Sequence, residues 1–315
     1  MGYWYTIAAL TGINVILAYS VYSSFITGQV SLGQAAFFGV GAYVAASLTT
    51  LLDMNFFVAV MFGGMAGGLL SLLVGFPTLR LKGYHFTIAT VAFAEATRVI
   101  LHNVKFGRPK EDGAVGDRWL GPDGPVGFRH ISYLNDHNIS SGEFAVLVWC
   151  FVLVVVGAFI ILERSRISIL MRTISEDEVV ARSIGISVAK TKIIAFACGG
   201  ILAGISGGLY AHLLTFISGN DFIIHLSTIA LAFVVIGGGQ TLWGPLFGAI
   251  IFTLLPEIMR PIQSFRIELF GLLILLTMLF RPSGAISANW VRKIRFSLLR
   301  KQSVTNLRSA TNKEN

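Results

Sequence analysis

The sequence predicts an all-α, polytopic membrane helical bundle of about eight to ten segments, some of them short or broken. Three observations lead there. Only 13% of the 315 residues are charged, against about 25% in soluble domains. Hydrophobic residues make up 54%, and the mean hydropathy is +0.74. The apolar residues also gather into long runs without the alternation of a β-barrel. The same composition excludes disorder, which needs low hydrophobicity and high charge. The 34 glycines fit the class, since membrane helices carry more glycine than soluble ones. Cys150 and Cys198 lie inside apolar runs, so neither a disulfide framework nor a zinc cluster is expected.

The runs fall in order at 5–27, 30–52, 56–76, 84–101, 144–162, 193–214, 223–239, 243–256 and 267–280. A helix needs about 20 apolar residues to cross a bilayer core of about 30 Å. The first three and the sixth meet that; 84–101 and 144–162 are near the lower limit. The runs 223–239 and 243–256 are shorter, and Gly237, Gly238, Gly239, Gln240, Gly244 and Pro245 lie at their junction. A break of this kind strands backbone amides and carbonyls unless protein or a watery cavity satisfies them. Such breaks point to a transport pathway; a tight turn between two thin helices is the plainer alternative. The first run is too long for a signal peptide and has no basic flank or cleavage site, so none is expected.

Lysine and arginine set the orientation. Arg164, Arg166, Arg172, Arg182, Lys190 and Lys192 fall in 163–192, and eight basic residues fall in 281–315. Both stretches are expected in the cytoplasm, which places 102–143 outside and Arg80 with Lys82 inside. The division is therefore a membrane domain over 1–280, with outer loop 102–143 and cytoplasmic segment 163–192, followed by a basic cytoplasmic tail over 281–315. The net charge of +8 resides mostly in that tail, which suits anionic membrane lipid and not nucleic acid. Trp290, Val291, Ile294 and Leu298 would share one face of a tail helix lying on the membrane.

Inside the runs, Gly200, Gly204 and Gly208 recur every fourth residue, and Gly63, Gly64, Gly67 and Gly68 repeat the device. Small residues at this spacing let helix backbones approach closely, either within the chain or at a rocking or subunit interface. Glu95 and Arg98 share a helical face and can pair at membrane depth, where charge is expensive; a structural ion pair and a pathway role both fit. Gln34 and Gln240 each follow a glycine at the start of a run, and with Thr87, Thr90, Glu95 and Gly238 they form the candidate pathway set. His85, His212 and His225 lie near run ends without metal-ligand spacing, and are expected at the membrane interfaces; no metal site is expected.

The cytoplasmic stretch 172–185 reads RTISEDEVVARSIG. Ser175 and Glu178 have capping-box spacing, and Glu176, Asp177 and Glu178 place negative charge where a helix dipole favours it. Arg182 falls in the last turn, and Gly185 is placed for a left-handed end. These residues predict a free-standing helix of about nine residues, marginal by itself in water. Val179, Val180, Ser183 and Ile184 give it a small apolar face. That face either enters a groove on a partner or lies against its own bundle.

No GxxxxGK[ST] phosphate loop occurs, so the chain binds no nucleotide by that device and any ATP is hydrolysed on another polypeptide. Gly204-Ile205-Ser206-Gly207 matches a serine-protease GxSG, but His225 would have to reach Ser206, and no glycine-spaced motif brings its helix near. The chain is not expected to be an enzyme.

The stretches SLGQAAFFGVGAYVAA (31–46), GYHFTIATVAFAEATRVI (83–100), SEDEVVARSIGISVAKTKIIAFACGGILAGISGGLYAH (175–212), VVIGGGQTLWGPLFGAIIFTLLPE (234–257) and FGLLILLTMLFRPSG (270–284) resemble, in family order, permease subunits of branched-chain (hydrophobic) amino-acid ATP-binding-cassette importers, LivM-type. The resemblance implies a bacterial plasma (inner) membrane protein acting with a second related permease subunit, two ATPase subunits carrying ATP and Mg, and an extracytoplasmic solute-binding protein. It implies that Ser175, Glu176, Asp177, Glu178, Val179, Val180, Arg182, Ile184 and Gly185 form the segment contacting the ATPase. Relatives of this kind carry leucine, isoleucine and valine, other neutral amino acids, or urea and short amides. A self-sufficient channel or secondary carrier would instead need its own gate or coupling-ion site.

Overall fold

The computed structural model describes residues 2–79, 81, 83–109 and 119–258. The run 267–280, the tail 281–315, Arg80 and Lys82 lie outside the described residues.

In chain order the helices begin with α1 (Gly2–Phe25), α2 (Gln34–Leu52), α3 (Phe56–Thr78) and α4 (Tyr84–Asn103). After the loop that follows α4 come a single turn, α5 (Tyr133–Asp136), and the long α6 (Ser141–Arg164). The stretch 163–192 contains α7 (Arg166–Glu176) and α8 (Glu178–Ser183), and α9 (Val188–Leu214) returns through the bundle. Two shorter helices, α10 (Ile224–Gly237) and α11 (Trp243–Ile258), follow.

Five of these, α1, α2, α3, α6 and α9, are long and apolar enough to cross a membrane. The expected span 84–101 does form a 20-residue helix, α4, but it is not one of the five. Thr87, Thr90, Glu95, Thr97 and Arg98 make it too polar to qualify by itself, and it packs against α2 and α3.

The centre of the fold is α9, packed against α1, α2 and α3. Glycine explains how three neighbours fit around one helix. A methyl group added at Gly67 would come within 2.6 Å of the Gly200 carbonyl, and one at Gly63 within 2.7 Å of the Gly41 carbonyl. Gly204 lies against the backbones of Gly63 and Gly64, and Gly208 against Ala45 and Val60. Gly64 and Gly68 receive the side chains of Ile205 and Ile201. The two expected small-residue stripes thus face each other directly, with α2 packed alongside through Gly41 and Ala45, and form an intrachain seam. Such packing supplies cohesion where lipid gives no hydrophobic drive.

The junction of α10 and α11 is a tight turn. Gly238 has φ +114°, and the Thr241 and Gly244 amides donate back to Gly238 and Thr241. The two helices form a hairpin so close that side chains at Gly237 or Gly248 would enter the facing carbonyls. Between α4 and α6 lies something the sequence patterning did not predict, a small antiparallel sheet in the order β1 (Arg108–Pro109), β2 (Trp119–Pro122), β3 (Phe128–Arg129). Strands of two to four residues are too short to show alternation. Phe128, fully buried, also pairs with Ile217 beyond α9, which clips the loop onto the bundle. Lys105 and Asp123 reinforce it with a 2.7 Å ion pair.

Candidate functional site

Residues 26–33, between α1 and α2, leave helical structure inside the bundle. Gln34, the first residue of α2, lies beside Gly199, well inside the 27-residue α9, so the break sits at depth. Gly28 and Val30 are exposed there, whereas Ser31 and Gly33 are buried, and buried backbone groups require protein partners. Side chains from distant elements supply them. The Thr87 hydroxyl donates to the Val30 carbonyl at 2.8 Å, and the Leu32 amide donates to Thr90 Oγ1 at 3.3 Å. The Gly33 amide donates to Ser31 Oγ, and the Ala35 amide to Ser227 Oγ of α10 at 2.8 Å. Thr90 in turn donates to the Thr87 carbonyl.

Three of the sequence-derived pathway residues, Gln34, Thr87 and Thr90, therefore converge on this break. Gln34 is fully buried; its amide nitrogen reaches the Ser20 carbonyl at 3.5 Å, while its Oε1 has no hydrogen-bond partner among the described residues. The Ser20 hydroxyl and Gln29 Oε1 are likewise buried and unpartnered. Unsatisfied polar atoms of this kind are uncommon in a folded interior, and here they cluster around one irregular segment. Below the break a cavity of 290 Å³ opens, lined by Gln29, Val30, Phe86, Thr87, Glu178 and Lys192 among others.

The remaining pathway residues lie elsewhere. Gly238 is the left-handed end of α10. Gln240 is exposed at the α10–α11 turn, where its carbonyl accepts from Arg172 Nη1 at 2.9 Å. Glu95 pairs with Arg98 at 2.7 Å, and Arg98 Nη1 donates to Asn220 Oδ1 at 3.0 Å. This triad ties α4 to the link between α9 and α10. Ser206 is buried and donates to the Ala203 carbonyl of its own helix, whereas His225 is exposed. His212, in the last turn of α9, is fully buried within the protein, held between Thr49 Oγ1 at 3.0 Å and the Gly208 carbonyl at 2.7 Å.

In the stretch 172–185 the expected helix is cut differently. Ser175 and Glu176 belong to the end of α7, and the chain turns at Asp177, which caps α8 by accepting from the Val179 and Val180 amides at 2.7 and 3.2 Å. The Ser175–Glu178 capping box does not form. The reason lies in α7, whose buried Met171 and Ile174 carry helix through Ser175. The C-terminal expectation holds: Gly185 has φ +83°, and the Gly185 and Ile186 amides donate to Arg182 and Ala181, closing the helix as a Schellman motif. Ala181, Ile174 and Val188 form a small apolar anchor with Ile186. Val179, Val180 and Ile184 face outward, 73%, 52% and 65% exposed. Glu178, released from capping, pairs with Lys192 of α9 and with Arg182 at 3.5 Å. Sequence reading counted Lys192 only as an orientation charge and missed Ser227, Ser20 and Gln29. A lysine at the start of an apolar run was the available signal for the first; a lone serine gave none for Ser227.

Comparison with known proteins follows from this geometry. Residues 3–281 match the family described as branched-chain amino acid transport system, permease component. The chain is 29% identical over 288 residues to the high-affinity branched-chain amino acid transport system permease protein LivM of Escherichia coli (strain K12), covering 87% of this chain and 66% of that one. It is 23% identical to the probable branched-chain amino acid transport permease protein LivH of Methanocaldococcus jannaschii, covering 88% and 89%. The nucleoside ABC transporter permease protein NupC of Lactococcus lactis subsp. cremoris is 25% identical, covering 72% and 71%. No solved structure matches the chain.

Proposed function

Because the chain belongs to the branched-chain amino acid transport permease family, we propose that it forms part of the membrane passage of an ATP-driven importer for branched-chain or other neutral amino acids. A second related permease subunit completes the passage, two ATPase subunits bind ATP and Mg at the cytoplasmic face, and a solute-binding protein delivers substrate from outside. The setting is the bacterial plasma membrane. The family match across residues 3–281 is the observation that carries this reading.

Two local features support it. The exposed Val179, Val180 and Ile184 face on α8 has no partner among the described residues of its own bundle and is shaped to enter an ATPase groove. The convergence of Gln34, Thr87 and Thr90 on the helix break at 26–33 supports a passage whose polar groups exchange hydrogen bonds with a zwitterion. Transport then requires two bundle states, each favoured by a different state of the ATPase.

The test is purification of the tagged chain with its neighbours and reconstitution with the solute-binding protein. ATP-dependent uptake of leucine is expected, with an ATPase co-purifying. Uptake of leucine without ATP or ATPase would establish a channel or secondary carrier instead. Preferential uptake of adenosine or urea would retain the class and replace the substrate.

A further inference from the structure

Among the described residues, α8 touches the transmembrane bundle through two kinds of contact. One is the apolar anchor of Ile174, Ala181 and Val188. The other is the ion pair of Glu178, the first residue of α8, with Lys192 near the start of α9. We propose that this ion pair is the link that carries displacement of α8 into the bundle, with Lys192 as a positioning residue for coupled transport. The proposal rests on the importer reading and names the residues through which that coupling passes.

The chemistry of the pair suits the task. Apolar contact is non-directional and permits sliding, whereas a charged hydrogen bond holds one atom to another. The Lys192 side chain is only 11% exposed and that of Glu178 is 35% exposed. Removing one partner strands a charge in a poorly solvated place, which is costly, so the buried ammonium follows the carboxylate when α8 shifts. Glu178 is also gripped by Arg182 one turn on, so it moves as part of α8 and not as a free side chain.

The far end of the link is stiff. Beyond Lys192, α9 meets Ser20 of α1 at Gly199, Gly67 of α3 at Gly200, and Gly41 and Gly63 at Gly204, all backbone against backbone. A helix seated this closely transmits a push as rigid-body motion, because close-packed surfaces do not deform smoothly. The 290 Å³ cavity lies beside the pair and is walled on its other side by Gly28, Gln29, Val30 and Thr87. The pair can therefore move toward the helix break without first displacing packed atoms.

The test uses the complete reconstituted complex with Glu178→Gln, Lys192→Gln, and the exchange Glu178→Lys with Lys192→Glu. ATP hydrolysed and leucine taken up are both measured. Lys192→Gln, outside the segment assigned to the ATPase, is expected to retain its ATPase subunits and hydrolyse ATP, and both single variants are expected to lose uptake by about tenfold, within the range of site-to-site coupling. The exchange is expected to recover most of that uptake. Unchanged uptake in the single variants overturns the proposal, as does an exchange that leaves uptake lost. Should a single variant fail to assemble, the exchange still decides, and Lys192→Arg, which keeps the charge, is expected to transport normally. If the unmodified chain fails to bring down an ATPase, it is the importer reading that fails and not the assignment of the pair.

Discussion

Gly204 of α9 lies against Gly41 of α2 with backbone touching backbone, at a separation no Cβ could occupy. The same residue abuts Gly63 and Gly64 of α3, so one position on the central helix is shared by two neighbours.

Gly204→Val should therefore collapse the seam. A β-branched group here meets backbone atoms, which cannot rotate aside as a side chain would, and overpacking of this kind is strongly destabilising. Detergent-extracted protein is expected to aggregate on size-exclusion chromatography. Gly157→Ala is the matched control, since nothing lies within 4 Å of the added methyl, and it should elute as the unaltered protein does.

Asp177→Ala and Ser175→Ala separate the two capping schemes. Removing the Asp177 carboxylate, which serves the Val179 and Val180 amides, should weaken α8 by about 1 kcal/mol. Hydrogen exchange at 179–184 should accelerate accordingly. Ser175→Ala should leave those amides unchanged; acceleration there instead would restore the capping box that the geometry rejects.

Ser227→Ala tests the helix break. It leaves the buried Ala35 amide without its acceptor, a loss of about 1–3 kcal/mol. The thermal midpoint of the purified protein should fall. Thr90→Val should act in the same direction through the Leu32 amide, and an undiminished midpoint in both variants would show that those bonds are not made.

Arg98→Ala should loosen the 218–222 turn, because Arg98 bridges Glu95 to Asn220. Faster proteolysis or hydrogen exchange confined to that turn is expected. Glu95→Gln should do less, since Arg98 keeps its bond to Asn220. Equal effects would place the strength of the triad in the Glu95 pair.

What could be read from the sequence divides along physical lines. Gly185 was legible because a left-handed residue after a short helix has a strong glycine signature, and its φ of +83° bears that out. The glycine stripes were legible as packing surfaces from spacing alone, but not which helices they would meet. Thr87, Thr90 and Gln34 stood out as polar groups in apolar runs, and tertiary structure gathered them at one break. Ser227 reaches Ala35 from a helix nearly 200 positions away, and no local pattern encodes such a pairing. Ser175 and Asp177 both carry capping chemistry; the choice between them depended on how far the buried face of α7 extends, which is a property of packing. Lys192 looked like a cytoplasmic marker because a charge count does not say what a charge touches.

Phe128 is bonded to Ile217, each amide donating to the other's carbonyl. During synthesis the ribosome makes the first of these residues long before the second, and no local partner substitutes for it. Phe128 must therefore wait, unclipped, until α9 has been made and the residues beyond it have emerged. Only then is the small sheet fixed against the chain beyond the far end of α9.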